Sequence, residues 1–297
     1  MKETAKKYAI HILKFLMHNF VYIIWFIFYF IMTRDILALM ISDKEGCTAM
    51  TVYGYLISAV LLLSPLGEHI LRFANGIRRL ETEKEKNYLL PIFDDVYEEA
   101  KKQYPILSKK IELCVIDAMH INAFALGRKT IAVTKGAVES LSEEELKGFI
   151  AHEIGHIFNG DTKAVMIVTI GNGIFSLITI ALQKMSYLIE NFLYARGFLW
   201  WIIKTILYLC YIYFTSLVKI TLAINSRTNE YRADKFAYTI GYGNNLKNSL
   251  YLLQGMCISD KATLVERLKH SHPNIAKRIG RLEKFINEEL ESETTEA

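Results

Sequence analysis

Hydrophobic and polar residues are segregated along this chain in long blocks. Phe15–Thr33 is apolar apart from His18 and Asn19, and Lys2, Lys6, Lys7 and Lys14 precede it. Gly46–Gly67 and Ala164–Gln183 contain no charged residue, and Gly197–Val218 contains only Lys204. A helix needs about 20 apolar residues to cross a hydrocarbon layer about 30 Å thick. The pattern therefore predicts four transmembrane helices, arranged as two hairpins. The first reads as an uncleaved anchor, since Thr33-Arg34-Asp35 follows where a signal peptide would show a small-residue cleavage site. Gly171-Asn172-Gly173 sits inside the third segment, where Asn172 would need a partner on a neighbouring helix. Trp200 and Trp201 suit an interface, and Lys204 could snorkel to it. A shallow re-entrant hairpin is the alternative for the last two segments.

The blocks between are polar, with short periodic patterns. Pro91 suits a first helical position, with Phe93, Val96, Tyr97 and Ala100 following at helical spacing. Ile111–Ile116, Asn122–Leu126 and Thr130–Thr134 read as strands, the last two separated by a Gly127-Arg128 turn. Ser142 and Glu145 form a capping box for a helix carrying Leu146, Phe149, Ile150, Ile154 and Ile157. That helix should stop near Asn159-Gly160, with Asp161 capping the next. The expected fold is mainly α with a small β-sheet, an α+β catalytic domain on an integral membrane framework. The expected division is a membrane hairpin over 1–71, one catalytic segment over 72–163, a second membrane hairpin over 164–218 and another catalytic segment over 219–297.

Composition changes this picture little. The chain is 52% hydrophobic and 22% charged over 297 residues, close to an average soluble protein, because two unlike populations are being averaged. Charge excludes one class and sets an orientation. Thirty-five basic against thirty-one acidic residues are too balanced for a nucleic-acid binder. Basic residues gather at the amino terminus and, after the second apolar block, at Arg72, Arg78, Arg79, Lys84 and Lys86. The turns between spans hold only Arg34 with Lys44, and Lys184 with Arg196. Both termini and the middle segment are therefore expected in the cytoplasm, in a multi-pass cell-membrane protein. Cys47, Cys114, Cys210 and Cys257 are scattered, which argues against a disulfide framework or a cysteine zinc site. Asn287–Ala297 has glutamates and no base and reads as a solvated tail.

The candidate chemistry lies at His152-Glu153-Ile154-Gly155-His156, an HExxH pattern. Four residues are just over one helical turn, so both imidazoles share a face and can meet one metal ion. Glu153 stands beside them, placed to take a proton from an attacking water. A catalytic zinc needs a third protein ligand. Glu230 and Asp234 are again one turn apart, so one can bind metal while the other orients a ligand histidine. Taken alone, the first pair could be surface histidines and the second a solvated helix face; together they favour a metal site. His156 lies eight residues before Ala164, and Glu230 twelve after Val218. Both elements should therefore leave the bilayer at one face, near the cytoplasmic leaflet.

These motifs, with Asn122-Ala123-Phe124-Ala125 and Ser271-His272-Pro273, resemble the membrane-bound zinc endopeptidases of the HtpX and CAAX prenyl protease type, the length and four-span plan being closer to HtpX. The resemblance implies one zinc held by His152, His156 and Glu230, and Glu153 as general base. It implies that His272 and Arg278 face the substrate and stabilise the oxyanion. It also implies that Asn122, Ala123, Phe124 and Ala125 form the edge strand on which a peptide adds. Asp234 and Arg227, in the family's Ser-Arg pair, would support the ligands. Leu126 before Gly127 and Asn229 before Glu230 depart from the usual residues without touching a ligand. The implied activity is zinc-dependent hydrolysis of polypeptides, misfolded or damaged membrane proteins being the implied substrates. The competing readings are a processing protease for lipidated carboxyl-terminal peptides, disfavoured by the span count, and a catalytically silent membrane scaffold, disfavoured by Glu153.

Overall fold

A computed structural model describes residues 13, 16–17, 19–107, 110–192, 198–257 and 275–296. It is mostly helical, with one small mixed sheet, and divides into two compact units. The first unit contains residues 1–64 and 164–225, the second 65–163 and 226–297.

In the first unit, α1 (Phe20–Met40) and α2 (Lys44–Leu63) form a hairpin. Asp43 caps α2 by accepting the Gly46 N–H at 3.0 Å. The Tyr55 ring packs edge-on between Phe26 and Phe30, each 5.3 Å away, and its hydroxyl is 3.1 Å from that of Thr33. Tyr22 and Tyr29 are buried with Ala164, Val168 and Phe175. α1 runs seven residues beyond the expected end at Thr33 because Arg34 and Asp35 pair with each other at 2.6 Å. A neutralised pair on the helix surface does not force the helix to stop. Asn172, expected to find a partner, is exposed.

Among the described residues, three helical segments are long and apolar enough to cross a membrane, not the expected four: Phe20–Ala38, Lys44–Leu63 and Asp161–Leu182. The third lies in α7 (Asp161–Phe192). Of the remaining segment, 198–218 falls in α8 (Phe198–Ala237), many of whose side chains over 203–225 are outside those described.

The second unit begins with α3 (Pro65–Ala74) and a short strand, β1 (Ile77–Arg79), which the sequence pattern does not announce. α4 covers Glu83–Gln103; β2, β3 and β4 cover Glu112–Ile116, Ala123–Leu126 and Thr130–Thr134. The sheet order is β1-β2-β4-β3, with β2 and β4 parallel and both outer pairs antiparallel. Central β4 is buried at all five positions, as an inner strand covered on both faces must be. Pro91 is not the first residue of its helix. Thr82 caps α4, with Glu85 completing a capping box, and Pro91 lies inside on the exposed side. The carbonyl that its ring deprives of a partner can reach water there. The buried stripe Leu89, Ile92, Phe93, Val96, Tyr97 and Ala100 outweighs that one lost bond.

α5 (Lys135–Ser140) leads into α6 (Glu143–Asn159), with Ser142 and Glu145 forming the expected box. α6 passes through the middle of the unit, packed on α4, β3 and α9 (Gly243–Cys257). A π-helical segment, Tyr238–Tyr242, joins α8 to α9, and α10 (Ile275–Glu296) packs on α9. One continuous core results, from Leu89 and Val96 through Ile131, Val133, Ile150 and Ile154 to Leu246, Leu250 and Leu282.

Candidate active site

The site is built where α8 and α10 bring polar side chains against α6. The α6 cap fixes the helix start, and from it His152, Glu153 and His156 follow on one face, His152 and Glu153 being buried. Gly155, inside the motif, allows α8 to approach closely. A Cβ there would stand 3.1 Å from the Ala233 Cα, tighter than most real contacts. That approach brings Glu230 and Asp234, one turn apart on α8, against the two imidazoles.

His152 Nε2 and His156 Nε2 are 3.2 Å apart. Glu230 Oε2 is 3.4 Å from the first, and Glu230 Oε1 is 3.5 Å from the second. Tetrahedral ligands at about 2.0–2.1 Å from a zinc ion stand about 3.3–3.4 Å from one another. The residues thus fit a metal in spacing as well as in type, and among the described residues these three form a group that could hold one.

Each imidazole turns its other nitrogen to a carboxylate. His152 Nδ1 is 3.0 Å from Asp234 Oδ1, and His156 Nδ1 is 2.8 Å from Asp161 Oδ2. Such contacts fix the tautomer that presents Nε2 to a metal. Asp161, expected as a helix cap, is instead the partner of His156 and is itself held by Arg232 Nη2 at 2.6 Å. Arg278 forks onto Asp234, through Nε at 2.9 Å and Nη2 at 2.6 Å, and its Nη1 lies 3.0 Å from Glu230 Oε2.

The electrostatics favour a cation. Glu153, Asp161, Glu230 and Asp234 are all buried, against the two guanidiniums of Arg232 and Arg278. Burial opposes charge on the imidazoles, and Arg278 adds to this at His152. The carboxylates nevertheless outweigh both, raising the His152 pKa and holding that of His156 well above the ordinary range. At Asp234, burial pushes the carboxyl up, but Arg278 and His152 bring it below its usual value. A divalent cation would meet the same surplus of negative charge.

Glu153 reaches the sheet. Its Oε2 accepts the Ala125 N–H at 2.6 Å. β3 is an edge strand, and Asn122 exchanges hydrogen bonds with Thr134 on β4. By the alternation of an antiparallel ladder, the Ala123 and Ala125 backbone groups therefore face the open edge. Phe124 turns its side chain to the opposite face, beside Ile77, Cys114 and Ala132. The structure thus brings together His152, Glu153, His156, Glu230, Asp234, Arg278 and the open edge at Ala123 and Ala125. Arg227 is exposed on α8, and His272 lies outside the described residues. Asp161 and Arg232 are the residues that spacing did not suggest: they meet across 71 positions of sequence.

The chain is 27% identical over 197 residues to Protease HtpX of Shewanella oneidensis, covering 59% of this chain and 68% of that protein. It is 34% identical over 123 residues to a Protease HtpX homolog of Bacteroides fragilis, which is 40% of this chain and 36% of that relative's length. The crystal structure of S. mikatae Ste24p aligns with 93% of this chain and 66% of its own, at 18% identity and a TM-score of 0.48. The model of peptidase family M48 matches residues 83–286, a stretch holding β2 to β4, the HExxH helix, Glu230, Asp234 and Arg278, and the chain belongs to that family.

Proposed function

We propose that this chain is a membrane-embedded, zinc-dependent endopeptidase acting at the cytoplasmic membrane face. The observation that carries the reading is the triangle of His152, His156 and Glu230 with Glu153 alongside, bonded to the open edge of β3. Bound there, zinc would polarise the scissile carbonyl and acidify the attacking water. The rest is done by the chain. Glu153 takes the proton from the water and returns it to the leaving amine. A peptide adds antiparallel or parallel to β3, using the outward carbonyls of Ala123 and Ala125 and the Ala123 N–H, while the Ala125 N–H stays with Glu153, and this places its carbonyl against the ligand triangle. Asp234 and Asp161 hold the imidazoles in register.

Arg278 has two tasks in this scheme. Two of its five N–H groups hold Asp234 and one meets Glu230, leaving capacity for the developing oxyanion, with His272 as the second donor. The relatives named HtpX and the apolar helices support a membrane protease; membrane-protein quality control, with misfolded or damaged membrane proteins as substrates, is the role proposed with it. The test is purification in detergent followed by metal analysis and cleavage of an unfolded protein such as casein. One zinc per chain with chelator-sensitive cleavage is expected. A chain that binds no zinc and cuts nothing would overturn the reading.

A further inference from the structure

Helix α3 has its amphipathicity turned outward. Leu66, Ile70 and Phe73 follow at i, i+4 and i+7 and fall within an arc of about 60°. They are 57%, 56% and 89% exposed, respectively. The opposite face carries Glu68 and Arg72, which are buried, 5% and 7% exposed, while His69 is exposed at the border of the apolar arc. A helix folded only for water would place these residues the other way round.

The buried face is tied to the turn between β3 and β4. Glu68 accepts the Arg128 N–H at 3.0 Å, the Lys129 N–H at 3.4 Å and the Thr130 hydroxyl at 2.5 Å. Arg72 donates from Nε to the same hydroxyl oxygen at 2.8 Å and from Nη1 to Glu112 at 2.7 Å. Gly127, at φ +65°, opens the turn, and a Cβ there would strike the Glu68 carboxylate. These bonds prevent α3 from rotating to bury its apolar face.

Covalent geometry names the occupant of that face. Only Ser64 lies between Leu63, the end of the apolar helix α2, and Pro65, the start of α3. With consecutive Cα atoms about 3.8 Å apart, α3 must begin within a few ångströms of wherever α2 leaves the bilayer. Arg79, exposed and 3.5 Å from Glu112, lies shortly beyond α3, and exposed Arg128 lies in the turn it holds, where anionic headgroups would be met. We infer that α3 lies in the membrane–water interface with Leu66, Ile70 and Phe73 among the acyl chains, and that Glu68 and Arg72 fix the β3–β4 turn to this lipid-seated helix. The height of the candidate substrate strand above the bilayer is then set by lipid contact at α3. An amphipathic helix seated at the headgroup boundary serves such a purpose, and contiguous exposed apolar residues mark it.

The inference rests on α2 crossing a bilayer, and the experiment separates the two. The full chain is reconstituted into vesicles of phosphatidylcholine and phosphatidylglycerol containing lipids brominated at shallow or deep acyl positions. A Leu56→Trp variant, in a chain whose three native tryptophans are phenylalanine, reports whether α2 enters the bilayer. A Phe73→Trp variant, in a chain whose three native tryptophans are phenylalanine, then reports on α3. The expected result is stronger quenching by shallow than by deep bromine, with little quenching by aqueous iodide. Quenching by iodide and not by bromolipid would overturn the inference. So would shielding from both, which would mean that protein covers the face. As a functional arm, Leu66→Ser/Ile70→Ser/Phe73→Ser should retain cleavage of a soluble peptide in detergent and lose severalfold in cleavage of a bilayer-anchored one. Equal effects on both substrates would contradict the proposed lipid-set register.

Discussion

At the scale of single residues, a site can be read from sequence where its partners lie one turn apart, and is hidden where they do not. His152 with His156, and Glu230 with Asp234, repeat at four residues, so each pair shares a face before any fold is known. Asp161 has no such mark. It follows a glycine at a helix boundary, where a carboxylate is ordinarily a cap, and its contacts with His156 and Arg232 exist only once α6, α7 and α8 meet. Its role predicts that Asp161→Asn weakens zinc binding about 10–100-fold and leaves folding intact, as a chelator competition would show. Unchanged affinity would mean that His156 is oriented by something else. Arg278 is legible only through the resemblance; its buried fork onto Asp234 gives it a structural task as well. Arg278→Lys, which keeps the charge but not the fork, should therefore lower zinc affinity as well as turnover. A loss of turnover with affinity unchanged would confine Arg278 to the substrate.

At the scale of elements, the legible ones combine a strong period with a cap or a turn. β4 and the boxed helix α6 fall where the pattern puts them. β1 has three residues, too few for alternation to register, and its hold comes from outside the strand. Arg78 bonds Asp117 beyond β2 and Glu85 in the α4 cap. The bond from Arg78 brings the Glu85 carboxyl down to about 2, from an ordinary value of 4.5. A depressed carboxylate contributes stability that is complete above its unfolded value and is lost as the pH falls through the folded one. Arg78→Ala should therefore lower the unfolding midpoint of the detergent-solubilised chain by roughly 2–4 °C at pH 7. The gap from wild type should close between about pH 4.5 and 2. A gap independent of pH would point to lost packing in place of the ion pair. The Thr82–Glu85 capping box is in the sequence too, but Pro91 further along carries the more conspicuous mark of a helix start.

At the scale of the whole molecule, hydropathy separates two populations of residue, and the structure separates two units, each assembled from distant stretches of chain. The unit boundary after Ser64 follows from Glu68 and Arg72, whose bonds to the sheet place α3 in the second unit. No periodicity could reveal that, since α3 by itself looks like a continuation of the apolar block. The proposed orientation rests on the distribution of basic residues, and it predicts that a cysteine introduced at Ser42, between α1 and α2, reacts with a membrane-impermeant reagent from outside intact cells. Labelling only after permeabilisation would reverse the topology.

The central claim is that His152, His156 and Glu230 hold a zinc ion on which Glu153 acts as the base. Measuring zinc content and casein cleavage side by side for the wild type and Glu153→Gln tests it most directly. The account predicts one zinc per chain in both and cleavage reduced about 10²–10⁴-fold in the variant. Loss of zinc from Glu153→Gln, or cleavage that survives it, would contradict the assignment.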